Sequence, residues 1–159
     1  MKSNRSNSPQ IRLDAFNRIL DSLNDLDSPV VVEGHSDTLA LRSLGYHGEV
    51  IELNDGKSVL STVEKLAQKL GTSGIFVIMT DWDRTGGRLA KQLKEYGESS
   101  DLVPDLRIRR DLSLLCSKDI TCIEELPTMI KSLLKLSLIH ISEPTRPLYL
   151  SYAVFCLKK

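Results

Sequence analysis

Two aspartates, one residue apart, are the side chains in this sequence that most clearly suggest chemistry. Asp81 and Asp83 lie in "IFVIMTDWDRTGG", directly after an apolar run with β-branched and aromatic members. Such a run is typical of a buried strand. Alternate side chains of an extended chain point to the same side, so both carboxylates would lie together at the strand's exit. Their mutual repulsion requires a proton or a cation between them.

A hard divalent cation is the partner that this pair predicts. Mg²⁺ prefers oxygen ligands, takes one or two protein carboxylates, and completes its shell with water and substrate phosphate. Glu33 ends an earlier apolar run, "PVVVEG", and could supply a third oxygen from a neighbouring strand. We therefore expect one or two Mg²⁺ ions, with Mn²⁺ as a substitute, at Glu33, Asp81 and Asp83.

Cations and backbone N–H groups beside these acids favour a phosphate ligand. Arg84 and the helix entry at 85–87 follow the acidic pair directly. Lys57 and Arg109 are two further phosphate-binding candidates, although each also fits an ordinary solvated cation. Asp37 fits a first-turn helix acid favoured by the helix dipole. A metal site beside an arginine and a helix N-terminus is an arrangement that suits phosphoryl transfer.

Strands that alternate with helices are needed to bring these residues together. Apolar residues at helical spacing from Ile11 predict an N-terminal amphipathic helix that ends near "NDLDSP". The predicted strands are "PVVVEG", "EVIELN", "IFVIMTD" and, at a polar edge, "DLRIRRDL". The predicted helices between and after them are "SDTLALRSLG" with Ser36 as its N-cap, "SVLSTVEKLAQKLG", "GGRLAKQLKEYG" and "CIEELPTMIKSLL", where Pro127 lies near the first turn or breaks the helix.

This alternation predicts an α/β protein with a Rossmann-like, mostly parallel sheet of about four strands flanked by helices. In such sheets ligands bind at the carboxyl ends of the strands, which is where Glu33 and the aspartate pair fall.

Length and composition predict one domain with no general attraction for polyanions. The chain has 159 residues, enough to bury a core, and its 21 basic and 21 acidic residues balance. Any phosphate binding must therefore come from a local patch. The three cysteines lack C-x-x-C spacing, which argues against zinc and favours reduced thiols in a cytoplasmic protein. We see no membrane span and no signal peptide.

Two segments together resemble the Toprim domain. These are "VVVEGHSD" (Val30–Asp37) and "IMTDWDRTGG" (Ile78–Gly87), in this order and with βαβ units between them. Toprim is the metal-binding nucleotidyl-transfer and hydrolysis domain of topoisomerases, bacterial-type primases, small-RNA maturation nucleases and recombination-repair proteins. The likeness covers roughly half the chain, from Pro29 to Arg110, and is closest to the small stand-alone archaeal Toprim proteins.

The resemblance implies a role for each matching residue. Glu33 matches the family glutamate, a metal ligand and a general acid or base. Asp81 and Asp83 match the two aspartates that hold magnesium. Supporting positions in the family motif are matched by Gly34, Asp37 and Gly86. The glycines would permit tight turns, and Asp37 would orient the site without binding metal.

The resemblance also implies a magnesium-dependent protein that acts on nucleic-acid phosphodiesters. It would act as a nuclease or nucleotidyl transferase, in small-RNA maturation or in a process like DNA repair. A topoisomerase or a complete primase is not expected, because no tyrosine-bearing cleavage domain or further primase module accompanies the motifs. Three alternatives remain open. The first is a non-catalytic module that binds metal and nucleic acid. The second is an aspartyl-phosphate phosphatase, because "DWDRT" fits D-x-D-x-T. The third is a phospho-receiver-like domain.

The expected organisation has four parts. Residues 1–28 are expected to hold a disordered start (1–10) and the N-terminal helix. This helix could bind a protein partner. Residues 29–110 are expected to form the Toprim core. Residues 111–135 form a helical extension. In residues 136–159, "LSLIHISEPTR" and "SYAVFCLKK" resemble a translated sequencing adapter, so this tail is expected to be non-native; an authentic amphipathic tail is the alternative.

Overall fold

A sheet of four short parallel strands forms the centre of the computed structural model, which describes residues 8–53 and 58–140. The strands are β1 (Val30–Val32), β2 (Val50–Glu52), β3 (Ile75–Ile78) and β4 (Val103–Asp105). Their order is β2-β1-β3-β4, and every neighbouring pair is parallel. The predicted α/β class and the parallel four-stranded sheet are confirmed.

Within residues 8–53 and 58–140, six helices flank this sheet. They are α1 (Pro9–Asp25), α2 (His35–Ser43), α3 (Val59–Leu70), α4 (Arg84–Ser99), α5 (Arg107–Cys116) and α6 (Leu126–His140), with a 3₁₀ turn at Ile123–Glu125. None of the helices in this described part is long and apolar enough to cross a membrane.

The two central strands are buried on both faces, which explains their continuous apolar sequences. On one face Val30, Val32 and Val77 pack with the buried sides of α1, α2, α5 and α6. On the other face Val31 and Phe76 pack with α3 and α4. The N-terminal helix therefore covers the sheet as part of the main core.

The prediction of a strand at "DLRIRRDL" is wrong. The edge strand β4 ends at Asp105, the first residue of this segment, and Arg107–Cys116 form α5. The alternation of Leu and Ile with Arg suggested a strand, but Ile108, Leu112 and Cys116 recur every four residues and form the buried side of a helix. Asp105 ends β4 and satisfies the first backbone donor of that helix, because its Oδ1 accepts a hydrogen bond from the Arg107 N–H at 2.9 Å.

Several helix boundaries also differ from expectation. Helix α1 begins at Pro9, within the segment expected to be disordered, while residues 1–7 lie outside the described residues. Helix α2 has Gly34 and not Ser36 as its N-cap. Pro127 lies in the first turn of α6 and does not break it. The boundary expected at residue 110 falls inside α5.

The last helix continues past residue 136 into the predicted non-native tail. Ser137 is buried there, and its hydroxyl donates a 2.8 Å hydrogen bond to Oε1 of Gln10 on α1. Residues 141–159, which make up most of that tail, lie outside the described residues.

Candidate metal and phosphate site

The exits of β1 and β3 bring the first two predicted ligands into contact. Val31 of β1 is in register with Ile78 of β3, so the carboxyl ends of the two parallel strands are adjacent. Glu33 follows β1, and its Oε2 accepts a hydrogen bond of 2.7 Å from the N–H of Asp81, which follows β3. Residues 48 positions apart in sequence thus meet at one edge of the sheet.

Both aspartates are oriented by backbone N–H groups. Asp81 Oδ1 accepts a 3.0 Å hydrogen bond from the N–H of Ile123, in the 3₁₀ turn. Asp83 is the N-cap of α4, and its Oδ1 accepts a 2.7 Å hydrogen bond from the N–H of Gly86. Each predicted carboxylate ligand therefore already accepts one hydrogen bond from the backbone.

Burial and mutual repulsion destabilise the charged forms of these acids. Burial raises the pKa of Glu33, and the negative charges of Asp81 and Asp83 add to the rise, against the hydrogen bond from the Asp81 N–H. Burial likewise raises the pKa of Asp81, opposed by the Ile123 hydrogen bond. The pKa of Asp37 is raised to about 6, mainly by burial and then by the charge of Asp81. The cluster would therefore gain from a cation.

Glu33, Asp81 and Asp83 offer carboxylate oxygens, which are the ligands that a hard cation prefers. In residues 8–53 and 58–140, however, no three His, Cys, Asp or Glu side chains are arranged so that they could hold one ion together. The described side chains thus form a group of adjacent acids and not a preassembled three-ligand site. A cation that takes one or two protein carboxylates and keeps its waters is the kind that fits.

Arg109 lies at this site although its element was mispredicted. From α5, its Nε donates to the carbonyl oxygen of Thr80 at 3.1 Å, and its Nη2 donates to that of Asp81 at 2.7 Å. Burial lowers the pKa of Arg109, and the charges of Glu33 and Asp81 oppose this change. Arg109 therefore holds the exit of β3 in place and faces the acids; its predicted contact with phosphate stays a prediction.

Relatives of this chain are found in archaea. A UPF0292 protein of Methanosarcina barkeri is 38% identical over 125 residues, which cover 77% of this chain and 85% of the relative. The chain belongs to the UPF0292 family. A UPF0292 protein of Thermococcus onnurineus is 34% identical over 81% of this chain and 90% of its own length. No family model matches the sequence.

A solved structure supports the fold assigned to this UPF0292 chain. It is a protein from Aquifex aeolicus, 26% identical, which superposes with a TM-score of 0.58 over 69% of this chain and 96% of its own length. The likeness thus supports the α/β fold over 69% of this chain.

The remaining predicted site residues of this UPF0292 chain have different surroundings. Asp37 is buried, with 6% exposure, and its Oδ2 accepts a 3.2 Å hydrogen bond from the Gly34 N–H. Gly34 itself is extended (φ −154°, ψ −178°), a conformation that needs no glycine. Arg84 is exposed in the first turn of α4. Lys57 lies outside the described residues.

Gly86 has a clear steric reason to be glycine. A Cβ atom built on it would lie 1.8 Å from the carbonyl oxygen of Asp81. Its own carbonyl oxygen accepts a 2.8 Å hydrogen bond from the hydroxyl of Thr80, which is fully buried. The first turn of α4 is therefore packed against the backbone that carries the acids.

The segment 120–124 contributes to the site and was missed by sequence reasoning. Trp82 donates from Nε1 to the Ile120 carbonyl at 2.7 Å and from its N–H to the Thr121 carbonyl at 3.0 Å. The charge of Glu124 further raises the pKa of Asp37 and of Asp81. The hydrogen bond from Trp82 Nε1 joins residues 38 positions apart, and no local pattern in the sequence signals any of these contacts.

Proposed function

We propose that this protein binds Mg²⁺, or Mn²⁺ in its place, through Glu33, Asp81 and Asp83 and acts on nucleic-acid phosphodiesters as a nuclease or nucleotidyl transferase. The observation that carries the proposal is the contact between Glu33 and Asp81 at the exits of adjacent parallel strands. The raised pKa values of both acids support it, because they mark a place where a cation would be favourable. The Toprim resemblance of the same residues supplies the reaction class.

The chain's own groups have separable roles in this proposal. When bound, a divalent ion would supply Lewis-acid stabilisation of charge on a phosphate. Glu33, half-buried and with a raised pKa, would accept a proton from the attacking group or return one to the leaving oxygen. Asp81 and Asp83 would hold the ion, each oriented by its backbone N–H contact. Arg84 would contact the phosphate.

The test separates metal binding from turnover. Purified full-length protein is incubated with structured RNA, nicked duplex DNA and single-stranded DNA, with Mg²⁺, Mn²⁺ or chelator, and Mn²⁺ binding is measured by calorimetry. Asp81→Asn should abolish binding and cleavage. Glu33→Gln should keep most of the binding and lower cleavage by about 10²-fold or more, the size of a general acid-base contribution. Glu64→Gln, an exposed acid on α3, is the control. Equal cleavage by all four proteins would refute the catalytic proposal.

A non-catalytic metal- and nucleic-acid-binding module is the second candidate. It is favoured by the hydrogen bonds that already occupy the three carboxylates and by the lack of a preassembled three-ligand group among the described residues. In that case the parent would bind Mn²⁺ and an oligonucleotide without cleaving it. The aspartyl-phosphate phosphatase stays a lower-ranked alternative, tested by hydrolysis of a small phosphate ester and by beryllofluoride trapping at Asp81.

We place this activity in the cytoplasm. Cys116 is buried and Cys122 is half-buried, and both are free thiols. Free thiols are typical of a reducing compartment.

A further inference from the structure

One face of α4 carries a row of cations that leads away from the acidic site. Arg84, Arg88, Lys91 and Lys94 are all exposed, and no acidic residue lies between the first and the last. The first three are spaced by four and then three residues, so they share one side of the helix, and Lys94 flanks them. Glu95 and Glu98 end the row. We call these four side chains the α4 basic row.

These cations do not serve the folded structure in any way that the described residues show. Among the described residues, none of the four forms an ion pair or a hydrogen bond. Other cations of this part of the chain do form ion pairs, such as Lys69 with Glu49. Arg84 also lies in the first turn of α4, where the helix dipole disfavours positive charge. Its position therefore weakens the helix slightly, which suggests a role outside it.

The geometry relates the α4 basic row to the acids. Asp83 is the N-cap of α4, so the row begins one residue beyond the proposed metal ligands. A helix rises about 1.5 Å per residue, and the ten steps from Arg84 to Lys94 therefore span about 15 Å along the outside of the molecule. We propose that the α4 basic row binds the sugar-phosphate backbone of a nucleic acid and guides it to the acidic site. This inference rests on the proposed function for its substrate class.

A nucleic acid fits this row better than a membrane surface does. Helices that lie on membranes pair their basic face with exposed large apolar side chains. The exposed large apolar residues of the described chain lie on other elements, and α4 has none. The chain as a whole has no net charge, so a local row is what could attract a polyanion.

The experiment measures the salt dependence of binding without metal. A fluorescent 20-nucleotide single-stranded DNA and the same RNA sequence are titrated with full-length protein in chelator, from 50 to 300 mM KCl, by anisotropy. The variant is Arg88→Gln/Lys91→Gln, which spares the residue next to Asp83. The control is Lys131→Gln/Lys135→Gln, two exposed cations four residues apart on α6.

Each lost phosphate contact on a single strand lowers the magnitude of the slope of log K against log salt by about 0.7. The α4 variant should therefore lose about 1.4 in slope, which corresponds to roughly 25-fold weaker binding at 0.1 M salt when the two proteins are matched at 1 M. The α6 control should match the parent. The same proteins are also titrated with phosphatidylserine vesicles. The inference is wrong if the parent does not bind the oligonucleotides, if both variants weaken this binding equally, or if the α4 variant loses binding only to the vesicles. A different result would separate the two proposals. If the protein binds the oligonucleotides through α4 in a salt-dependent way but neither cleaves them nor binds Mn²⁺, the proposed function is wrong, whereas the role of the α4 basic row in nucleic-acid binding stands.

Discussion

At the scale of single residues, Asp37 shows how the acidic site costs the protein stability. It is almost fully buried, and its hydrogen bond from Gly34 N–H does not offset burial and the charge of Asp81, so its pKa is raised to about 6. A carboxyl with a raised pKa binds its proton more tightly in the folded than in the unfolded chain. Stability therefore falls as pH rises from about 4 through about 6, and the cost is complete at pH 7.

Replacing Asp37 by asparagine should remove most of this cost. Asparagine keeps an oxygen to accept the Gly34 hydrogen bond but carries no charge. We expect Asp37→Asn to be more stable than the parent at pH 7, by at most about 3 kcal/mol, and to lose less stability between pH 4 and pH 6.5. Urea unfolding at several pH values measures both effects. Asp21→Asn, at an exposed position on α1, is the control; parallel pH profiles for the parent and Asp37→Asn would contradict the assignment.

At the scale of elements, the junction between β3 and α4 decides where the acids point. Asp83 caps α4 through Gly86 N–H, and Thr80 donates to the Gly86 carbonyl, so strand exit and helix entry form one rigid unit. This junction was predictable, because an apolar run, two acids and a glycine pair are local signals. Helix α5 was not predicted, since "DLRIRRDL" alternates locally like a strand. The four-residue spacing of its buried side chains shows only when the segment is extended to Cys116.

The adjacent glycines at this junction should respond to alanine with opposite signs. A Cβ on Gly86 would lie 1.8 Å from the Asp81 carbonyl oxygen, whereas one on Gly87 would meet nothing closer than 3.9 Å. We expect Gly86→Ala to destabilise the protein by about 2 kcal/mol or more, because backbone must move. Gly87→Ala should be neutral or stabilise it by up to about 1 kcal/mol through helix propensity. Urea unfolding of the two variants measures the difference, and similar losses in both would show that the junction is not tightly packed at Gly86.

At the scale of the whole molecule, the candidate site is assembled from parts far apart in the chain. Strand exits supply Glu33 and Asp81, α5 supplies Arg109, and the 3₁₀ turn supplies the Ile123 N–H. The parallel sheet predicts that the strand exits meet, because its topology places all carboxyl ends at one edge. It does not predict which later loop folds back onto that edge, so Ile123 and Glu124 could not be found from sequence.

This assembly would make global stability a readout of the proposed cation binding. Without metal, the partial burial of Glu33 and Asp81 and then the repulsion among the acids oppose folding, as the raised pKa values of both residues indicate. An ion that binds only the folded chain stabilises it by RT ln(1 + [ion]/Kd), about 2.7 kcal/mol at one hundred times Kd. We therefore expect Mg²⁺ to raise the Tm of the parent by about 5 °C or more, relative to NaCl at equal ionic strength.

Asp81→Asn should reverse that pattern, because it removes a charge but keeps an oxygen for the Ile123 N–H. In chelator this variant should melt at or above the Tm of the parent, since repulsion is relieved. In Mg²⁺ it should melt below the parent, since the ion has lost a ligand. Glu64→Gln, at an exposed position on α3, should keep the full response to Mg²⁺. An equal rise in Tm for the parent and Asp81→Asn would place the bound ion elsewhere on the molecule, and the acids at the strand exits would then be a structural cluster alone.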